Sequence, residues 1–123
     1  MKFSPSTEEQ KEMFRRMVLT RRLEETLGDL VKEGKTRGPL HRCDGQEAVG
    51  VAACAALRSD DYVCTTHRGH HVYVGKGLDP RRIVAEIFGR VAQSGVLGIW
   101  SAQPARVATT PTNRPHHGML SAV

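Results

Sequence analysis

The sequence predicts an α/β chain, mostly helical with one or two short strands, that ends in an irregular tail. Three observations carry that reading. Apolar residues recur at helical spacing through the first quarter of the chain. A short β-branched and aromatic run follows an Ala-rich segment. All thirteen acidic residues lie within the first 90 positions, and none lies in 91–123.

The elements can be justified in order. Ser6 and Thr7 precede Glu9 and Gln10, two overlapping capping-box patterns in which a hydroxyl and an acid satisfy each other's orphan amides. From there Met13, Phe14, Met17, Val18, Leu23, Leu27, Leu30 and Val31 mark one helical face, with charges between them. Gly34 accepts the left-handed conformation that ends a helix, so the spacing predicts a long amphipathic packing helix over 7–33. "TRGPLHRCDG" is a loop by its two glycines and Pro39. "QEAVGVAACAALR" is built of small apolar residues that let other backbones approach, and is expected to be a helix buried on most sides. Ser59, Asp60 and Asp61 make a turn, and "YVCTT" suits a buried strand. Asp79 before Pro80 reads as an N-cap with proline at the first helical position. Ile83, Val84, Ile87 and Phe88 supply that helix's apolar face. After Arg90 come three prolines, a TTPT run and no sustained period, which gives little reason to expect packing.

Bulk properties narrow the class. A chain of 123 residues makes one domain, burying roughly two-thirds of its unfolded surface. The net charge of +5 attracts phosphates, but no basic run interleaved with aromatics marks a nucleic-acid surface. Cys43, Cys54 and Cys64 form no CxxC pair, so reduced thiols are expected rather than a zinc knuckle or disulfide framework. Neither a signal peptide nor a membrane span is legible, and a cytoplasmic chain is expected.

The chemistry concentrates in "THRGHH", where His67, His70 and His71 stand beside Arg68. The three- and four-residue histidine spacings permit a metal site, yet no HExxH or cysteine pair completes one. A solvated polar loop is the bland reading. The cluster follows a strand, however, where α/β sheets bind ligands. Arg68 offers a planar, permanently charged fork for phosphate oxygens, and Gly69 allows close backbone approach. A phosphate-bearing ligand is the best physical fit.

With the motif His41-x-x-Asp-Gly-Gln-Glu-Ala followed by Asp-Asp-Tyr-Val-x-x-Thr-His-Arg-Gly-His, the chain resembles the alpha subunit of thiamine-diphosphate-dependent 2-oxo acid dehydrogenases of the pyruvate and acetoin type. The set of motifs, in this order, is what is specific. The resemblance begins in "MFRRMVLTRRLEETLGDLVKEGK" and runs to about Arg90, so residues 1–90 read as the N-terminal part of that subunit's domain and 91–123 as an irregular or aberrant tail. It implies the N-terminal part of a thiamine-diphosphate-binding fold, an αβ or α₂β₂ assembly with a beta subunit, and cofactor at their interface. It also implies decarboxylation of pyruvate or a similar 2-oxo acid, with acyl transfer to the lipoyl group of a partner acyltransferase.

By the same resemblance His67 and Arg68 contact the cofactor diphosphate, His41 is an active-site histidine, and His70 lies close to the same pocket. Asp44, Gln46 and Glu47 are expected to be structural, starting the Ala-rich helix. The chain departs from the family's H-R-G-H-G-H-Y in having His71 and Val72, and it carries Arg42-Cys43 where Leu-Tyr is usual. The family's Ser-Met-His stretch is absent, as are the Gly-Asp-Gly and Asn-Asn runs that bind the diphosphate's magnesium. A truncated reading frame with a shifted tail, and hence an inactive fragment, is the expectation. A non-catalytic subunit-interaction module and a histidine metal-binding protein are the alternatives.

Overall fold

Residues 3–36, 40–88 and 106–109 are described by the computed structural model. The first helix, α1 (Thr7–Lys32), begins where the capping residues place it: Ser6 is the N-cap, and its side chain and that of Glu9 satisfy each other's backbone amides. It ends at Gly34, whose φ is 69°, with Gly34 N bonded to Val31 O and Lys35 N to Leu30 O, each at 2.9 Å. Those two bonds close the last turn as a Schellman motif, which an L side chain at Gly34 would strain.

Four further elements follow: α2 (Glu47–Ala55), β1 (Tyr62–Thr65), α3 (His70–Gly75) and α4 (Pro80–Ile87). The last has Asp79 as N-cap, accepting from Arg81 N at 2.9 Å, with proline in the first turn, as its sequence predicts. A second strand, β2 (Arg106–Thr109), pairs in parallel with β1, Tyr62 opposite Arg106 and Thr65 opposite Thr109. It falls within the stretch after Arg90 that shows no period; the break at Arg90 itself lies outside the described residues.

The core forms where α1, α2 and α3 meet. Leu23, Leu27, Cys54, Val72, Tyr73, Val74 and Ile83 make one buried cluster, with Leu40, Val63, Leu78, Val84 and Ile87 against it. Burying a leucine or isoleucine as fully as Leu27 and Ile83 contributes roughly 1.5–3 kcal/mol each. Lys76, the C-cap of α3, donates to the carbonyls of Arg58, Ser59 and Asp61 at 2.9–3.2 Å, tying this helix to the turn before β1. Asp61 closes that turn by accepting from Arg58 N at 2.9 Å, so the aspartate is a turn residue as expected.

Three expectations are corrected. The "THRGHH" stretch, whose bland reading is a solvated polar loop, runs at His70 into a six-residue helix, "HHVYVG", buried along its whole length. Six residues are too few to display a period, and tertiary packing overrides the weak helix propensity of its two valines. Second, α2 is buried on one side only: Glu47, Gly50, Val51 and Cys54 are inside, while Val49 is 69% exposed. Third, β1 is half-exposed, with Tyr62 and Cys64 outward and Val63 packed on the core. Among the described residues, nothing covers the outer face of either element. No helix among them is long and apolar enough to cross a membrane.

Candidate functional site

The loop before α2 and the loop after β1 converge. The rings of His41 and His67 stand 4.5 Å apart in an edge-to-face arrangement, 70° between planes. Arg68 Nη1 donates to the carbonyl oxygen of Arg42 at 2.8 Å, which ties the two loops together. Both His67 and Arg68 are exposed, whereas His41 is half-buried. Three of the four residues singled out in the sequence therefore lie together where the two loops meet.

His70 points elsewhere. It is 8% exposed, and its Nδ1 lies 2.5 Å from Oε1 of Glu24, a carboxylate with no exposure at all. The Cys43 thiol donates to the same oxygen at 3.1 Å. Burial pushes the Glu24 carboxyl up, but the hydrogen bond and charge of His70, with the Cys43 bonds, outweigh it and hold the group below its ordinary value. Burial, then the Glu24 carboxylate, drives the Cys43 thiol well above its usual range, so it is protonated at neutral pH. His71 packs its ring over Gly50 of α2, and burial lowers its affinity for a proton.

The histidines spaced for a metal are thus divided, His67 at the surface and His70 and His71 inside. Among the described residues, the group whose metal-ligating atoms converge is Glu24, Cys43 and His70. Sequence reasoning missed Glu24 and Cys43. Glu24 sits at a helical spacing from Thr20, Leu23 and Leu27, all buried, and an acid on that inward stripe was the available signal. Glu86 was missed too; burial lifts its carboxyl from 4.5 to about 7, and no motif marks it.

Glu47 is structural, as its place at the start of α2 predicted. Its Oε1 accepts from Arg21 Nε at 2.5 Å and from Gly45 N at 3.0 Å. The Arg21 bond, opposed by burial and aided by the Gly45 amide, holds the carboxyl at about 2 rather than 4.5. A depressed carboxyl contributes stability that is present above the unfolded value and lost as pH falls through the folded one. The contribution therefore disappears between pH 4.5 and about 2. Because Arg21 is 48% exposed, solvent screening reduces it to about 1 kcal/mol. Urea titrations across that window should show Glu47→Gln flattening the acid limb of stability, and an unchanged limb would refute the assignment.

The Dehydrogenase E1 component model matches residues 15–116. Subunit alpha of the acetoin:2,6-dichlorophenolindophenol oxidoreductase of Bacillus subtilis (strain 168) is 38% identical over 78 residues, 63% of this chain and 23% of the relative. The testis-specific mitochondrial pyruvate dehydrogenase E1 component subunit alpha of Homo sapiens is 42% identical over 77 residues, 63% of this chain and 20% of the relative. The Zymomonas mobilis pyruvate dehydrogenase E1 component subunit alpha is 39% identical over 92 residues, 74% of this chain and 26% of the relative. The chain thus spans about a quarter of the length of these relatives. No solved structure matches. With the family match running over most of its length, the chain belongs to the dehydrogenase E1 component family.

Proposed function

We propose that the chain is the N-terminal part of the alpha subunit of a thiamine-diphosphate-dependent 2-oxo acid dehydrogenase, with Arg68 and His67 holding the cofactor's diphosphate where the chain meets a beta subunit. The observation that carries this is the convergence of the two motif loops, His41 against His67 and Arg68 on the carbonyl of Arg42. Arg68 uses Nη1 on that carbonyl, and a guanidinium has five N–H donors, so the donor set suits a diphosphate. When bound, thiamine diphosphate supplies the electron sink for decarboxylation.

The chain's own residues bind and orient. Arg68 and His67 fix the phosphates. His41, beside His67, orients the 2-oxo acid or stabilises charge as it develops. His70, which the resemblance places close to the same site, instead has its ring held inward by Glu24. Magnesium would take hard oxygen ligands, and no Gly-Asp-Gly or Asn-Asn run occurs in the 123 residues. The chain thus contributes phosphate contacts rather than the metal clamp, and on its own does not turn over substrate. Pyruvate or a similar 2-oxo acid is the substrate, and the lipoyl group of a partner acyltransferase takes the acyl unit. Free thiols at all three cysteines support a reducing setting, the cytoplasm.

Calorimetric titration of thiamine diphosphate into the chain mixed with a family beta subunit tests this. Arg68→Ala should weaken binding at least about 10-fold, the worth of one charge-assisted contact. Equal affinity in the variant, or decarboxylation by the chain alone, would overturn the reading.

A second reading is a subunit-contact module without catalysis. Phe14, Val18 and Val49 are 66%, 44% and 69% exposed, an apolar surface on α1 and α2 that favours a partner. Tight beta-subunit binding indifferent to thiamine diphosphate would select it.

A further inference from the structure

We propose that Glu24, Cys43 and His70 form a binding site for a zinc-class divalent transition-metal ion inside the helical unit. The three come from separate segments, α1, the loop before α2 and the first turn of α3, and their packing alone brings them together. Glu24, Cys43 and His70 are 0%, 1% and 8% exposed, and their ligand atoms all lie within 4.8 Å of one another. The site is distinct from the exposed diphosphate contacts at His67 and Arg68, and does not depend on them.

The donor set selects the ion. Thiolate, imidazole and carboxylate are the ligands zinc takes, at about 2.3, 2.0–2.1 and 2.0–2.2 Å. A thiolate disfavours magnesium and calcium, which prefer oxygen. Tetrahedral ligands at those distances stand roughly 3.3–3.6 Å apart. The Cys43 Sγ to Glu24 Oε1 separation, 3.1 Å, is already close to that. His70 Nδ1 and Oε1, at 2.5 Å, must open by somewhat under 1 Å.

A second observation points to a missing occupant. Glu24 Oε2 is a buried polar atom with no hydrogen-bond partner. An orphaned buried carboxylate oxygen is costly, and a cation on that carboxylate removes the cost. Charge balances as well: deprotonated Glu24 and Cys43 together offset a divalent ion. On binding, the Cys43 thiol gives its proton to solvent, and the ring of His70 binds through Nδ1 as neutral imidazole with its hydrogen on Nε2. Burial opposes thiolate formation in the metal-free chain, but a divalent cation beside the sulfur reverses that preference.

Cobalt(II) added to the full, metal-stripped chain is the test, since a cobalt–thiolate bond gives a near-ultraviolet charge-transfer band. One ion per chain with that band is expected, displaced by zinc. Cys43→Ser should abolish the band and weaken binding at least 10-fold, and His70→Asn should weaken it similarly. Cys64→Ser and the paired His116→Asn/His117→Asn change should leave both intact. Should Cys43→Ser fail to fold, X-ray absorption on the unmodified chain decides: one sulfur plus nitrogen or oxygen ligands sustains the site. No thiolate band, an all-nitrogen-and-oxygen shell, or binding lost with Cys64 or the tail histidines would overturn it.

Discussion

Replacing Gly50 with valine destabilises the chain by about 3 kcal/mol, the upper end of overpacking costs. A Cβ built on Gly50 would fall on the His71 ring and lie 2.9 Å from that residue's backbone carbonyl carbon. A side chain can rotate away, but the backbone of α3 cannot move without opening the core. The helices are in contact a turn further on as well, where a Cβ on Gly75 would lie 3.0 Å from both Cys54 Cβ and the Gly50 carbonyl oxygen. The sign is best read from Gly50→Ala. Helix propensity alone would favour alanine by about 1 kcal/mol, whereas the contact predicts a loss. Gly28→Ala is the control, because the nearest atoms a Cβ there would meet belong to the movable guanidinium of Arg42, and stability should stay within about 1 kcal/mol of the parent. Urea midpoints followed by circular dichroism give the comparison. If Gly50→Ala matches or exceeds the parent, the close approach of α2 and α3 is refuted.

The second large effect is at Glu24. Glu24→Ala should cost about 3–5 kcal/mol, because removing one partner leaves His70 buried without its hydrogen-bond acceptor and the Cys43 thiol without its own. Removing both partners is expected to behave differently. Glu24→Leu combined with His70→Leu eliminates the buried polar pair and fills the same interior, so most of the loss should be recovered. Chemical denaturation of the single and double variants in the presence of a chelator measures this in the metal-free chain. A double variant as unstable as the sum of its singles would show that the pair is not coupled.

Both effects concern contacts between segments, and there the sequence was least legible. The Ala- and Gly-rich composition of α2 announced a close backbone approach, yet not from which side, and the expectation of burial on most sides gave way to burial on one side. Val49 and Gly50 are neighbours in the same Ala- and Gly-rich run, but successive helical positions point about 100° apart, so one is outside and one inside. On α1 the apolar residues Phe14 and Val18 matched the helical period as well as Leu23 and Leu27 did. Only the second pair lies on the stripe that meets the other helices, which runs through Arg16, Thr20, Leu23, Glu24 and Leu27, with Arg16 Nη1 donating to the carbonyl of Gly75 in α3. The resemblance grouped His41, His67, Arg68 and His70; the first three meet where the two loops converge, while the ring of His70 turns inward to Glu24.

By itself the sequence determined what is local. Ser6 with Glu9 started α1, Gly34 ended it, and Asp79 with Pro80 started α4, because a cap satisfies backbone groups within one turn of itself. Family membership was also legible, being carried by an order of motifs along the chain. Tertiary structure alone decided that six residues after Gly69 form a buried helix, and that Glu24, Cys43 and His70 converge from positions as much as 46 residues apart. The energy of those choices resides in contacts between distant segments, where burial and desolvation outweigh any preference a short stretch has on its own.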